Sequence, residues 1–269
     1  MVWERLEILM TPRLLVLRRA SMNRWGQGGA RASSELVEPA QDSADWHPAV
    51  TMLGKVLSRE ARFGTRVHIA LSDLWVRAHL LPTMSTSLNE NEMLLLARTH
   101  FARQYPETGQ DAWTFRLALQ GTRLLAAGME PGLVAAIREV NTGAGARLSR
   151  MEPLLGYVFD RSEKALAHTT GWMLLDEPGM LTLAFVEQGK LTSLHCQRCE
   201  SDRDEIAAQL LQRQSALLAQ QSNEVRVFSI DGRALHLPPP WRVVLQQSIF
   251  NADDRAKLTT APAPLSRQH

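Results

Sequence analysis

Two cysteines, Cys196 and Cys199, are spaced as CxxC and follow His195. A structural zinc ion needs four ligands, usually from two such pairs, and the sequence has no second pair. A redox CxxC lies between a strand and the start of a helix, whereas this one ends a predicted strand and precedes Glu200 and Asp202. We therefore interpret both as reduced cysteines, one of them facing the core, and keep a CxxC metal or redox protein as a weaker alternative.

Acidic residues form three groups that could serve general acid–base catalysis: Glu90/Glu92, Asp202/Asp204/Glu205 and Asp253/Asp254. Each group lies at or near a predicted helix start or in the C-terminal tail. There the carboxylates favour the helix dipole and stay solvated, whereas acid–base catalysis needs carboxylates in a pocket with altered pKa values. We therefore interpret them as helix-capping groups and predict no catalytic residue.

The composition is that of an ordinary globular protein. Hydrophobic residues make up 45% of the 269 residues and charged residues 22%, and the net charge of +2 does not favour a nucleic-acid partner. The sequence has no run of 18 apolar residues, and its apolar start is interrupted by charged residues, unlike a secretory signal. We expect a cytoplasmic protein with no direct membrane span.

Hydrophobic periodicity and turn residues predict the elements that would position these groups. In the first half these are a strand at 13–19, a helix at 46–63, a hairpin of strands 67–71 and 75–81, a helix at 88–105 capped by Ser87 or Asn89, a second hairpin of strands 113–119 and 122–128, a helix at 131–141, an extended link at 146–153 and a helix at 154–166. In the second half they are meander strands at 172–175, 180–187 and 190–197, a helix at 204–222 and a strand at 224–230.

The order hairpin–helix–strand recurs, once over 67–105 and again over 172–230. This recurrence favours a mixed α/β fold with two related lobes, each a meander sheet plus helices. The predicted division of the chain is 1–64 (strand, mobile loop at about 26–46 and helix, part of lobe 1), 65–168 (the rest of lobe 1), 169–236 (lobe 2) and 237–269 (a proline-containing, partly flexible C-terminal segment).

Several stretches resemble a known family of assembly proteins. VHIALSDLWVRAHLLP at 67–82, followed by SLNENEMLLLARTHFARQYP at 87–106, resembles PilM-like proteins and the cytoplasmic domain of GspL-like proteins, which serve bacterial pilus and secretion assembly. WMLLDEPGMLTLAFVEQGKLTSL at 172–194 resembles the meander that opens the second lobe of the same fold. The resemblance covers roughly residues 65–230 and implies an actin-like (ribonuclease H-like) fold.

The sequence departs from this family at the nucleotide loops. Active actin-like ATPases hold phosphates with an Asp-x-Gly-type turn in each lobe, where glycine lets backbone N–H groups approach and Asp organises the metal. Here the candidate turns are Ser72-Asp73-Leu74, without glycine, and Asp176-Glu177-Pro178-Gly179, where Pro178 lacks an N–H and Glu177 adds negative charge. The adenosine-side Gly-Gly loop is reduced to Asp231-Gly232. The resemblance therefore implies a degenerate fold with vestigial nucleotide loops, and we expect no cofactor.

What the family does sets the functional expectation. The resemblance implies a non-catalytic scaffold of a type IV pilus or type II secretion-like assembly platform. Such a scaffold binds the cytoplasmic segment of a PilN-like inner-membrane partner, which holds it at the membrane, and the assembly ATPase is a further expected partner. The alternative on the same fold is an ATPase or an ATP-dependent phosphotransferase, in which Asp73 and Asp176 position the metal and the nucleotide.

Overall fold

The computed structural model describes residues 3–22, 30–37, 45–83, 87–108, 112–200, 202–220 and 222–249. In chain order the elements are β1 (Trp3–Met10), β2 (Leu14–Met22), β3 (Ala30–Leu36), α1 (His47–Glu60), β4 (Arg66–Leu71), β5 (Val76–Pro82), α2 (Glu90–Gln104), β6 (Thr114–Gln120), β7 (Arg123–Met129), α3 (Pro131–Gly143), β8 (Arg147–Pro153), α4 (Leu154–Arg161), α5 (Glu163–Leu166), β9 (Thr170–Glu177), β10 (Gly179–Glu187), β11 (Lys190–Cys199), α6 (Arg203–Leu218), β12 (Glu224–Ser229) and β13 (Arg242–Ser248).

Two five-stranded sheets share one strand order. The sheet of lobe 1 has the order β3-β2-β1-β4-β8, and the sheet of lobe 2 has the order β11-β10-β9-β12-β13. In each sheet, three consecutive antiparallel strands form a meander, a helix follows (α1 or α6), and two parallel strands extend the sheet beyond the first strand. The predicted mixed α/β fold of two related lobes is confirmed.

The first copy of this repeat lies earlier in the chain than the sequence pattern predicts. It spans β1 to β4 rather than residues 67–105. The predicted hairpin of 67–71 with 75–81 is wrong, because β4 pairs with β1 and β8, whereas β5 pairs with β7. All residues of β4 after Arg66 are buried, which suits the centre of a parallel sheet, where both faces are covered.

A third sheet, with the order β5-β7-β6, is inserted between β4 and α3. Its predicted hairpin β6–β7 is confirmed, with Gly121 at a φ of +64° in the turn. α2 packs on one face of this sheet through Ala97 and Phe101. Of the two predicted caps for this helix, Asn89 is the one used: its side chain accepts a hydrogen bond from the Glu92 backbone N–H, and the Glu92 carboxylate accepts one from the Asn89 N–H.

Edge strands account for the other differences from the sequence pattern. The predicted loop over 26–46 is wrong for Ala30–Leu36, which pair with β2, while 26–29 and 38–44 lie outside the described residues. The extended link at 146–153 is β8, and residues 242–248, which the pattern leaves outside lobe 2, are its edge strand β13. Backbone hydrogen bonds to a single neighbour hold such strands, so their side chains need not alternate clearly.

Apolar packing joins the two lobes through α4. This helix lies against both five-stranded sheets, and residues of α4, lobe 1 and lobe 2 form one buried core: Leu154, Leu155, Val158, Leu9, Val16, Ala70, Met173, Leu175, Ala184, Val186 and Phe228. The opposite face of the lobe 1 sheet packs against α1 and α3, and the opposite face of the lobe 2 sheet packs against α6. A buried apolar core between the two lobes therefore holds them together.

Candidate functional site

The turn between β9 and β10 carries one of the predicted nucleotide loops. β9 ends at Glu177 and β10 begins at Gly179, so only Pro178 separates the strands and the turn is tighter than predicted. Asp176 and Glu177 are fully buried. Asp176 is opposite Ser229 at the end of the parallel strand β12, and the predicted Asp231-Gly232 loop follows directly. The structure therefore brings the second and third predicted loops together at the carboxyl ends of two neighbouring parallel strands.

Arg203, the first residue of α6, lies between the carboxylates of these two loops. Its Nη1 is 3.2 Å from Asp176 Oδ1 and 3.0 Å from Asp231 Oδ2. Burial raises the pKa of Asp176 although Arg203 opposes the shift. Burial also acts on Asp231, but hydrogen bonds from the Arg233 backbone, Ser229 and Arg203 outweigh it and lower that pKa. The guanidinium thus supplies the positive charge that a metal ion would otherwise have to supply between the two groups.

Arg203 was not among the predicted site residues. It lies 27 residues after Asp176 and 28 before Asp231 in the sequence. Its neighbours in sequence, Asp202 and Asp204, suggest a solvated helix start and give no sign of a buried ion pair. Only the pairing of β9 with β12 brings the three side chains together.

The first predicted loop, Ser72-Asp73, meets lobe 2 across the interface. Asp73 is 2% exposed; the Leu155 backbone N–H donates to its Oδ1 at 3.3 Å, and the Thr182 hydroxyl donates to its Oδ2 at 3.2 Å. The Ser72 hydroxyl donates to Glu177 Oε2 at 2.7 Å. Glu177 Oε1 is buried and has no hydrogen-bond partner among the described residues. Asp73 and Glu177 therefore form a buried carboxyl pair between the lobes.

Burial shifts both members of this pair in one direction. It raises the pKa of Asp73 to about 7. Burial, and then the neighbouring Asp73 carboxylate, raise the pKa of Glu177 well above its ordinary value. Protonation of the pair is therefore favoured in the folded state relative to the unfolded state. A carboxyl group that is protonated more readily is a weaker ligand for a cation.

Leu74 closes the space in front of the lobe 2 turn. Its side chain is 2% exposed, and a Cβ added at Gly179 would lie 3.2 Å from Leu74 Cδ1. Gly179 has a φ of +96°, so the glycine is needed both for the backbone conformation and for this contact. An apolar side chain thus packs where a phosphate loop would expose its backbone to a ligand.

The counterpart of this turn in lobe 1 is not Ser72-Asp73. By strand order, β1–β2 corresponds to β9–β10, so the counterpart is the turn at residues 11–13 (Thr11-Pro12-Arg13). That turn is closed by its own bonds: the Leu14 N–H donates to Thr11 Oγ1, and Thr11 Oγ1 donates to the Leu14 carbonyl oxygen, both at 2.9 Å. The signal that could have found it is a proline inside an apolar run, present in both MTPRLL and DEPGML.

The two cysteines lie on opposite faces of β11. Cys196 packs against the lobe 1 core and Cys199 belongs to the lobe 2 core. Burial, and then Asp73, raise the pKa of the Cys196 thiol to about 12, which disfavours the thiolate that metal binding and redox chemistry require. Among the described residues no group of three or more His, Cys, Asp or Glu side chains could hold a metal. Nothing here favours the CxxC metal or redox alternative.

A groove lies between the three-stranded sheet and α4, with a volume of about 260 Å³. Below, the name sheet–α4 groove denotes the space lined by Ala78, Arg116, Ala118, Leu125, Ala127, Arg150, Glu152, Leu155, Gly156, Phe159 and Asp160. Arg116 closes part of it by donating from Nε to the Met151 carbonyl oxygen at 2.9 Å. A larger open depression of about 770 Å³, between α6 and residues 236–241, contains none of the predicted loop residues.

Replacing Glu177 by Gln removes one titrating member of the carboxyl pair. Because the folded state binds protons more tightly than the unfolded state between about pH 4 and 7, the pair makes the free energy of unfolding fall as pH rises through that range. We expect Glu177→Gln to raise the melting temperature at pH 8 and to change it much less at pH 4.5. The exposed Glu187→Gln, on the same hairpin, is the control and should show no such pH dependence; an equal effect in both variants would contradict the assignment.

Replacing Arg203 by Ala leaves Asp176 buried without its counter-charge. We expect the free energy of unfolding to fall by roughly 3 kcal/mol, measured by urea denaturation at pH 7. Arg233→Ala is the matched control, since Arg233 is 3.9 Å from Asp204 at the surface, and its loss should cost less than about 1 kcal/mol. If the two variants lose similar amounts of unfolding free energy, Arg203 acts as a surface charge and does not link Asp176 to Asp231.

Among the described residues no helix is both long and apolar enough to cross a membrane. The sequence matches no protein-family model and no curated protein. Solved structures that are similar to this chain include the following three. A Bacteroides thetaiotaomicron protein with an actin-like ATPase fold and unknown function matches 86% of this chain and 82% of its own, with a TM-score of 0.57 and 13% identity.

The other two similar structures come from assembly machines. A PilM–PilN type IV pilus biogenesis complex matches over 84% of this chain and 80% of its own, with a TM-score of 0.62 and 17% identity. The cytoplasmic domain of EpsL, an inner-membrane component of the Vibrio cholerae type II secretion system, matches over 91% and 88%, with a TM-score of 0.52 and 11% identity. Together with the duplicated strand order, these similarities show that the chain has the actin-like ATPase fold.

Proposed function

We propose that this protein is a non-catalytic scaffold on the cytoplasmic side of an inner-membrane assembly platform of the type IV pilus or type II secretion type. Its ligand is the cytoplasmic segment of a PilN-like inner-membrane protein. That partner holds it at the membrane, and the assembly ATPase is a second partner. The observation that carries the proposal is that Leu74 and Asp73 of lobe 1 pack against the β9–β10 hairpin of lobe 2, which carries a predicted nucleotide loop.

The contacts of the interface support a role without nucleotide. Arg203 bridges the Asp176 and Asp231 carboxylates within lobe 2, Leu74 packs on Gly179, and Asp73 is engaged by Leu155 and Thr182. A phosphate would have to displace an apolar side chain and approach two buried carboxyl groups, which repel it when ionised. Two of the similar structures are assembly proteins of pilus and secretion machines, which supports the choice of machine.

The sheet–α4 groove has the chemistry of a peptide site. At about 260 Å³ it is smaller than the roughly 300–1,000 Å³ of sites that enclose small molecules, and it suits a few side chains of an extended segment. Leu125, Leu155 and Phe159 provide apolar lining, while Arg150 and Asp160 at its edge offer polar contacts of both signs. We assign the partner's cytoplasmic segment to this groove.

Gly156 allows the groove to be blocked with little disturbance of α4. A Cβ added at Gly156 meets nothing closer than 3.6 Å, and the residue is helical. We expect Gly156→Phe to fill the groove and to weaken peptide binding by at least about tenfold, or 1.4 kcal/mol. The measurement is fluorescence anisotropy with labelled peptides that span the cytoplasmic segments of inner-membrane pilus and secretion proteins from the source genome.

Gly156→Ala is the matched control. It should bind peptide as the unsubstituted protein does and should stabilise α4 by about 0.5–1 kcal/mol, because alanine is the better helix former. Binding of one peptide that Gly156→Phe alone loses would support the proposal. If none of these peptides binds the unsubstituted protein, the proposed function is wrong. If a peptide binds both variants equally well, it does not bind in the sheet–α4 groove.

A further inference from the structure

Arginines lie side by side on three neighbouring strands of the lobe 1 sheet. Arg5 of β1 is opposite Arg66 of β4, and Arg66 is opposite Arg147 of β8. Residues directly opposite one another in a sheet project from the same face, so the three side chains form one row. All three residues are exposed. Below, the name arginine row denotes Arg5, Arg66 and Arg147.

The next row on the same face is covered by α4. It consists of Glu7, His68 and Arg150, since a bulge at β8 sets Arg150 opposite His68. Three residues of the last turns of α4 contact it: Arg161 pairs with Glu7, the Tyr157 ring meets His68 edge-on at 5.6 Å, and Asp160 lies 2.5 Å from Arg150.

The arginine row lies beyond the end of α4. The helix ends at Arg161, over the second row, and α5 leads back to the interface between the lobes, where Leu166 is buried. The side chain of Arg5 is 52% exposed although its guanidinium is 2.9 Å from His68 Nδ1. The sheet face at the row is therefore open to solvent and positively charged.

Among the described side chains at this end of the sheet, arginines outnumber acidic residues. Six arginines stand against three acidic residues: Arg5, Arg18, Arg66, Arg147, Arg150 and Arg161 against Glu7, Glu152 and Asp160. Arg150 pairs with Glu152 and Asp160, and Glu7 pairs with Arg161 and, at 3.6 Å, with Arg5 of the arginine row. Three of these six positive charges belong to the exposed arginine row.

We propose that the arginine row docks the protein on an anionic phospholipid surface. Neighbouring strands are about 4.8 Å apart, so the three exposed arginines extend from backbone positions that span about 10 Å of the sheet face. Guanidinium binds phosphate through two parallel hydrogen bonds, and basic residues near a bilayer are attracted to its negative surface potential. The row thus presents adjacent phosphate-binding groups to lipid headgroups.

An acidic peptide fits the row less well than a bilayer does. Strand addition needs an unpaired backbone edge, and of the three strands only the edge strand β8 offers one. A peptide added there would lie beside Arg147 but three strand spacings from Arg5. The row runs across the strands, so an extended peptide would have to cross the sheet with side-chain contacts alone. A headgroup layer meets the same charges without requiring an edge or a groove.

Lipid docking stands independently of the proposed peptide partner. β8 contributes Arg147 to the row and Arg150 and Glu152 to the lining of the sheet–α4 groove. A membrane protein's segment bound in that groove would therefore enter it near the surface that touches lipid. Binding at one of these surfaces would raise the effective concentration of the ligand at the other, so the two contacts would strengthen each other.

The test is vesicle co-sedimentation with the purified full chain and no partner. We expect binding to phosphatidylethanolamine–phosphatidylglycerol vesicles, no binding to phosphatidylcholine vesicles, and loss of binding at high salt. The triple variant Arg5→Gln, Arg66→Gln, Arg147→Gln should bind anionic vesicles at least about tenfold more weakly. The triple variant Arg5→Lys, Arg66→Lys, Arg147→Lys keeps the positive charge and should retain most of the vesicle binding. That result would show that the Gln variant loses binding because it loses charge.

A control variant of equal net charge separates the row from overall charge. It carries Arg98→Gln, Arg103→Gln and Arg138→Gln, all at exposed positions on α2 and α3, and should bind vesicles as the unsubstituted protein does. Equal loss in the control and row variants would overturn the proposal, as would unchanged binding by the row variant. Stronger binding to a poly-glutamate peptide than to anionic vesicles would also overturn it. Failure of this test leaves the peptide-binding result untouched, because no peptide is present.

Discussion

Leu155 and Val158 of α4 lie between the two five-stranded sheets, where they pack with Leu175 and Phe228 of lobe 2. Burial of apolar surface contributes roughly 25 cal/mol for each Å² removed from water, so this shared core holds the lobes in contact. Because the lobes are in contact, Leu74 packs on Gly179 and the Asp73 carboxyl reaches the Thr182 hydroxyl. The polar arrangement between the lobes follows from this apolar packing.

Burying carboxyl groups costs free energy, and two arrangements in the structure reduce that cost. Asp176 and Asp231 share the guanidinium of Arg203, whose positive charge offsets part of their negative charge. Asp73 and Glu177 are instead protonated more readily than in the unfolded state, because burial raises the pKa of both. The Arg203 contacts lie within lobe 2, whereas the bonds of Asp73 and Glu177 link the lobes. The two binding surfaces proposed above, the sheet–α4 groove and the arginine row, lie outside these contacts.

Local turn chemistry made part of this fold predictable. The meander β9–β11 was found from Pro178-Gly179 and Gln188-Gly189, and the hairpin β6–β7 from Gln120-Gly121, because these residues favour tight turns between consecutive strands. Pairing between distant strands leaves no local signal, so β4 and β5 were joined in a false hairpin. For the same reason Arg203 and the arginine row were missed: each depends on which strands become neighbours.

The claim that the chain's own side chains close the nucleotide cleft is tested most directly by thermal melting with and without millimolar Mg-ATP. A ligand that binds only the folded state must raise the melting temperature. We predict no shift, either for the unsubstituted protein or for Asp176→Ala measured against its own nucleotide-free baseline. A rise of several degrees in the unsubstituted protein that Asp176→Ala abolishes would contradict the account and would favour an ATPase or phosphotransferase on the same fold.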